Sequence, residues 1–237
     1  MSGSRLSVRR LAAVFIVLAA IAGIASPAHA QVTRRQRRES NANRRARIAK
    51  SIEDTYSHRW EVAGGGGFLR FRSGEFNQKN DEVTWATSAA YNFNPKLSVV
   101  GDIRGAYGNA KIYSQQDSTT PVNGIYRPLI TEYTMMAGPQ WRFYAKQRWT
   151  VTGNILGGVT LGNFDGGTKG IPAPTLGMWQ TSNRAAFSAN VNLDYNIYPN
   201  LAARLTPTYV GTTYGGDLQN NLGFNVGIVY RFGRIKK

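Results

Sequence analysis

From Trp60 to Phe232, apolar residues fall on every second position, and this constrains the chain more than any other feature. Residues 186–198 show it most clearly: Phe187, Ala189, Val191, Leu193, Tyr195 and Ile197 share one parity, while Ala186, Ser188, Asn190, Asn192, Asp194 and Asn196 share the other. The last segment repeats it, with Leu222, Phe224, Val226, Ile228, Tyr230 and Phe232 opposed to Gly223, Asn225, Gly227, Val229 and Arg231. A repeat of two is the geometry of a β-strand, whose successive side chains point to opposite faces. Eight such segments are expected, at about 59–71, 82–93, 97–108, 129–144, 148–161, 183–198, 201–212 and 221–232. After residue 30 no apolar stretch approaches the roughly 20 residues that a membrane helix needs.

The connections alternate in length. Residues 94–96, 145–147 and 199–200 are short and rich in turn formers, whereas 72–81, 109–128, 162–182 and 213–220 are longer and polar. Short joints at one end and long ones at the other describe an up-and-down barrel with both ends of the chain on one side. Periodicity alone leaves open whether the apolar face looks out at lipid or in at a ligand. Two features favour lipid. Aromatic residues of the apolar parity gather beside the short turns, namely Trp60, Phe93, Trp141, Phe143, Trp149, Tyr195, Tyr230 and Phe232, as in an interfacial girdle. The other parity carries the ions Glu61, Asp102, Arg104, Glu132, Arg142, Asp194, Arg204 and Arg231. An Arg or Lys facing lipid at the midplane costs about 2–4 kcal/mol, so these groups are expected in the lumen. The short turn at 199–200 sets Asp194 opposite Arg204, which predicts a cross-strand bridge. Arg104 with Glu132 is expected as a second pair. Small inward residues such as Gly65, Gly67, Ala86, Ser88, Ala90 and Gly158 leave room for these long side chains.

The last strand supplies the third feature. Asn225, Gly227, Tyr230 and Phe232 follow the order polar, glycine, aromatic, aromatic, which resembles the terminal signal read by the barrel-assembly machinery. Residues from about 59 to 232 resemble the small eight-stranded outer-membrane barrels of the OmpA/OmpX type. The resemblance implies an all-β fold, an eight-stranded antiparallel up-and-down transmembrane β-barrel preceded by a short basic, partly helical segment. It also implies lipid and lipopolysaccharide around the barrel. Two departures limit it: residues 233–237 follow the terminal aromatic, and no peptidoglycan-binding domain after the barrel allows that role to be carried over.

The N-terminal part reads differently. Arg5, Arg9 and Arg10 precede an apolar run, 11–25, and Ala28-His29-Ala30 closes it. This is the pattern of a secretory signal peptide over residues 1–30, with the mature chain expected to start at Gln31. The formal charge of the chain is +16, and residues 31–50 hold eight basic residues against one acid. Basicity therefore belongs mainly to one segment, 31–57, ahead of a barrel domain at 58–237. Arg34, Arg35, Arg37, Arg38, Arg44, Arg45 and Arg47 mark a tail that becomes helical from about Asn43 to Tyr56. An exported chain makes nucleic acid an improbable partner, and the anionic inner leaflet or the cell wall a nearer one.

Chemistry is sparsely represented. The chain has no cysteine, which removes disulfides, thiol catalysis and thiolate metal sites. One histidine, His58, follows residue 30 and precedes the first strand, away from any serine a hydrolase would need. Gly64–Gly67 lacks the following helix of a phosphate loop and reads as a strand bend or bulge. Asp165 lacks the other ligands of a calcium loop. No catalytic, cofactor or metal residues are expected. The function implied is a non-enzymatic barrel with a structural or surface-interaction role; the alternative is a passive, narrow, porin-like channel for small solutes or ions.

Overall fold

The computed structural model describes residues 40–75, 77, 79–112 and 124–235; the expected signal peptide, the arginines Arg34, Arg35, Arg37 and Arg38, and part of the longest loop lie outside these residues. Apart from Ser40, the described residues belong to one unit, Asn41–Lys237. It begins with helix α1 (Asn41–Tyr56) and continues through β1 (Trp60–Arg72), β2 (Lys79–Asn92), β3 (Leu97–Asn109), β4 (Leu129–Ala145), β5 (Trp149–Gly166), β6 (Ser182–Tyr198), β7 (Leu201–Thr212) and β8 (Gln219–Phe232). Each strand pairs antiparallel with its chain neighbours, and β1 pairs with β8, so the sheet closes on itself. Closure leaves every ladder group a partner and no free edge, which a lipid environment demands.

Strand bounds follow the alternation to within about three residues except at β5, which runs to Gly166 rather than stopping near 161. Its last turn is anchored from the far side of the loop, because Thr181 donates to Asp165 at 2.6 Å and accepts from the Phe164 N–H at 3.0 Å. The glycine run in β1 forms neither a bulge nor a break, and its register with β2 and β8 is continuous. The glycines instead permit close approach at the closing seam. A Cβ on Gly65 would lie 2.2 Å from the Val226 carbonyl oxygen. Bulk here would wedge the first and last strands apart.

The outer face is an apolar belt. Val99, Ile103, Met135, Ile155, Val191, Leu205, Val226 and Ile228 are all exposed. At the short-turn end lies an aromatic band containing Trp60, Phe93, Trp141, Phe143, Trp149, Tyr195, Tyr230 and Phe232, with edge contacts between Trp60 and Tyr91 at 4.9 Å and between Trp149 and Tyr195 at 5.1 Å. A second band, not read from the sequence, lies toward the long loops: Phe68 against Phe224 at 4.8 Å, and Trp85, Tyr107 and Tyr133 joined through their polar tips. Along β4 the bands are marked by Trp141 and Tyr133, roughly 20 Å apart in height once strand rise and tilt are allowed for. Two bands flanking an apolar belt match the two interfaces of a bilayer.

Candidate functional site

The lumen holds the polar residues, and alternation puts them there: the parity opposite the belt is buried along every strand. At the short-turn end, four side chains from β1, β6, β7 and β8 form a closed ring. Arg204 reaches Asp194 through Nε at 2.6 Å and Glu61 through Nη2 at 2.5 Å, while Arg231 reaches Glu61 through Nε at 2.9 Å and Asp194 through Nη2 at 2.7 Å. All four carboxylate oxygens thus accept from a guanidinium, and Arg231 also donates to Asn196 at 2.9 Å. Asp194 and Arg204 are direct register partners across the β6–β7 turn. Arg231 and Asp194 are not on neighbouring strands; their strands are two apart, and the contact passes over β7. Two acids and two bases with every carboxylate oxygen engaged make a neutral plug, the arrangement under which buried charge is tolerated.

α1 closes the same end from below. Its C-terminal Tyr56 is buried, donates to the Lys146 carbonyl at 2.6 Å and lies 2.7 Å from the Thr150 hydroxyl. Arg142 was expected among the lumen charges. It keeps the inward register, opposite Thr152, and its guanidinium lies over the Tyr56 ring at 4.9 Å and donates to the Pro95 carbonyl; the β4–β5 register shifts only beyond it. It bridges no carboxylate among the described residues. His58 follows the helix with Nδ1 3.2 Å from the Thr55 carbonyl oxygen. Arg44, Arg45 and Arg47 project from exposed positions of α1.

Above the ring lies a layer of amides and hydroxyls. Gln140 donates to Ser98 at 3.2 Å and accepts from Asn154 and Asn192, and Asn190 donates to Asn154 at 2.6 Å. Next come Asp102 and Arg104. The expected Arg104–Glu132 pair does not form: Arg104 takes Asp102 at 2.5 Å, two residues away on its own strand, and spans the lumen to Thr208 and Asn190 at 3.0 and 3.2 Å. The lumen is narrow enough that an inward arginine reaches the opposite wall more readily than a diagonal neighbour. Asn225 accepts from Thr84 at 3.0 Å over Gly67 of the intervening β1.

Glu132 is left beneath the long loops with Glu82, which the sequence reading did not single out. Both are buried, and one oxygen of Glu132 and both of Glu82 have no hydrogen-bond partner. Small residues on β3 bring them near one another. Ala106 faces Glu132 in the register, and the Glu82 side chain lies across Gly108, where a Cβ would stand 2.6 Å from its Cγ. Over this pair sits an apolar cap of Phe71, Ile112, Ile130, Phe164, Leu176, Met178 and Tyr214, with Phe164 edge-on to Tyr214 at 5.1 Å. The 167–181 loop supplies Leu176 and Met178 from a 3-10 turn, Ala173–Leu176, and is therefore folded inward rather than polar and free. Asp165 holds it, accepting from the Ala173 N–H at 2.9 Å and from Thr181. The run Ile171-Pro-Ala-Pro-Thr-Leu-Gly-Met178, unusually apolar for a loop, was the sequence signal for this cap.

Between ring and cap two small cavities remain, of about 50 and about 20 Å3, room for a few waters. No protein-family model and no curated protein matches the sequence. Solved structures do. Neisserial surface protein A is 12% identical with a TM-score of 0.52, over 73% of this chain and 97% of that one. The outer membrane protein OprG from Pseudomonas aeruginosa is 10% identical with a TM-score of 0.52, over 75% of this chain and 98% of that one. The chain thus has the fold of the small eight-stranded outer-membrane β-barrels.

Proposed function

We propose that the protein resides in the bacterial outer membrane as a non-enzymatic barrel whose role is structural or surface-interacting. The observation that carries this reading is a lumen closed at both ends, by a neutral ion ring below and an apolar cap above, inside a sheet with a lipid-compatible belt. A chain built to conduct or to turn over a substrate needs an opening, and the sealed core leaves the outer wall and the loops as the working surfaces. Lipid and lipopolysaccharide would surround the wall, and the long loops would face outward. Asn225, Gly227, Tyr230 and Phe232 would serve the barrel-assembly machinery during insertion, and export would keep the protein from nucleic acid.

The alternative, a passive narrow channel, is favoured by the two small cavities in the lumen, the larger lined by Asp102, Arg104 and Arg204. Planar-bilayer recording separates the two. The sealed reading expects no lasting open state, and a resolved, stable conductance refutes it. Heat-dependent gel mobility, with surface proteolysis of intact cells, tests membrane barrel and loop orientation: a protein that runs alike heated and unheated, or whose loops are cut by protease only after the cell is opened, refutes the reading.

A further inference from the structure

At the short-turn rim an apolar groove of about 570 Å3 opens between α1, the β2–β3 turn and the end of β4. Ile52 and Tyr56 of α1 form one wall, Phe143 and Ala145 of β4 the other, and Ile235 closes it from the chain's end. Phe143 is 72% exposed although it stands in the aromatic band. The groove is sized for a small amphiphile rather than a protein segment. Its polar edge is basic. Lys96 and Arg142 line it, and Lys146 and Arg148 stand on the adjoining turn. None of these four bridges a carboxylate among the described residues, because Glu61 and Asp194 are spent on the ring. Glu53 is the one acid in the lining.

We infer that this groove binds one anionic glycerophospholipid of the inner leaflet, with an acyl chain along Phe143 and Ile52 and the phosphate against Lys96 and Arg142. The inference rests on the outer-membrane reading, which puts the short-turn end in the periplasmic leaflet. Charge selects this occupant. A second copy of the chain would bring the same basic rim to a two-fold contact and be repelled. The chain's own flanking segments, with Arg34 to Arg38 and Lys236-Lys237, are basic as well. An apolar slot with cations at its mouth matches a lipid that has a tail and a phosphate, and the Arg142 guanidinium is already oriented by Tyr56 and the Pro95 carbonyl.

The test is native mass spectrometry of the full chain purified in detergent and titrated with phosphatidylglycerol or phosphatidylethanolamine. The expected result is a single phosphatidylglycerol adduct that outlasts the phosphatidylethanolamine one. Lys96→Ala with Arg142→Gln should weaken it about tenfold. Ile52→Asp, which spoils the apolar wall from the exposed helix, should abolish it. Lipid adducts equal in number for both headgroups and unchanged in the variants would overturn the site, as would a dimer mass in place of the adduct. Gel mobility is read on the same samples. A barrel that shifts normally on heating yet takes no lipid overturns the site alone, whereas loss of the shift overturns the membrane reading with it.

Discussion

The two ends of the lumen are sealed by opposite physics. Below, four ions from four strands cancel one another with every carboxylate oxygen engaged. Above, two carboxylates with no cation partner among the described residues lie under aromatic and aliphatic side chains, and the seal comes from apolar packing. A charged seal depends on all its members, because removing one leaves the others buried and uncompensated. An apolar seal degrades in proportion to the volume removed. The lower end should therefore fail abruptly and the upper end gradually.

The sharpest break is Arg204→Leu, which leaves Glu61 and Asp194 sharing a single guanidinium. It should cost about 3–5 kcal/mol in urea unfolding from micelles. A loss under 1 kcal/mol would put the two ends on the same footing. Phe164→Ala should cost about 3 kcal/mol and expose the 167–181 loop to protease, yet leave planar-bilayer conductance silent because the ring still closes the lower end. A stable open state in that variant would show that the cap alone seals the lumen. Asp165→Ala removes the acceptor for Ala173 and Thr181 and should cost about 1–2 kcal/mol, read as faster cleavage in the same loop with little change in the ring. The smallest effect is expected from Glu82→Gln or Glu132→Gln. No ion pair is broken, so stability should hold or rise by about 1 kcal/mol, and a loss of several kcal/mol would reveal a partner for these carboxylates.

How much of this was legible in the chain follows from the range of each rule. Alternation is local, so the strands from Trp60 to Phe232 and their inward parity could be read directly. The Asp194–Arg204 contact could be anticipated because a short turn fixes the register of the two strands it joins. Arg231, which reaches Asp194 past the intervening β7, obeys no adjacent-strand rule, and neither does Arg104, which turns to Asp102 and the opposite wall. Arg142 keeps its inward register opposite Thr152 but meets Tyr56 of α1 rather than a carboxylate, a contact that strand alternation cannot foresee. The cap was missed for another reason: residues 162–182 read as one long polar connection, while its apolar residues, Leu176 and Met178 among them, decide where it goes.

The ring has a consequence for the order in which the barrel comes together. Its members sit on β1, β6, β7 and β8, so the last three strands assemble two cations around one anion, and the first strand delivers the balancing charge only when it meets the last. Unzipping that seam would part Glu61 from both arginines at once and strand a net charge inside an apolar slab. Such a latch engages after most of the sheet has formed. It therefore acts on how slowly the finished barrel comes apart far more than on how fast it is made.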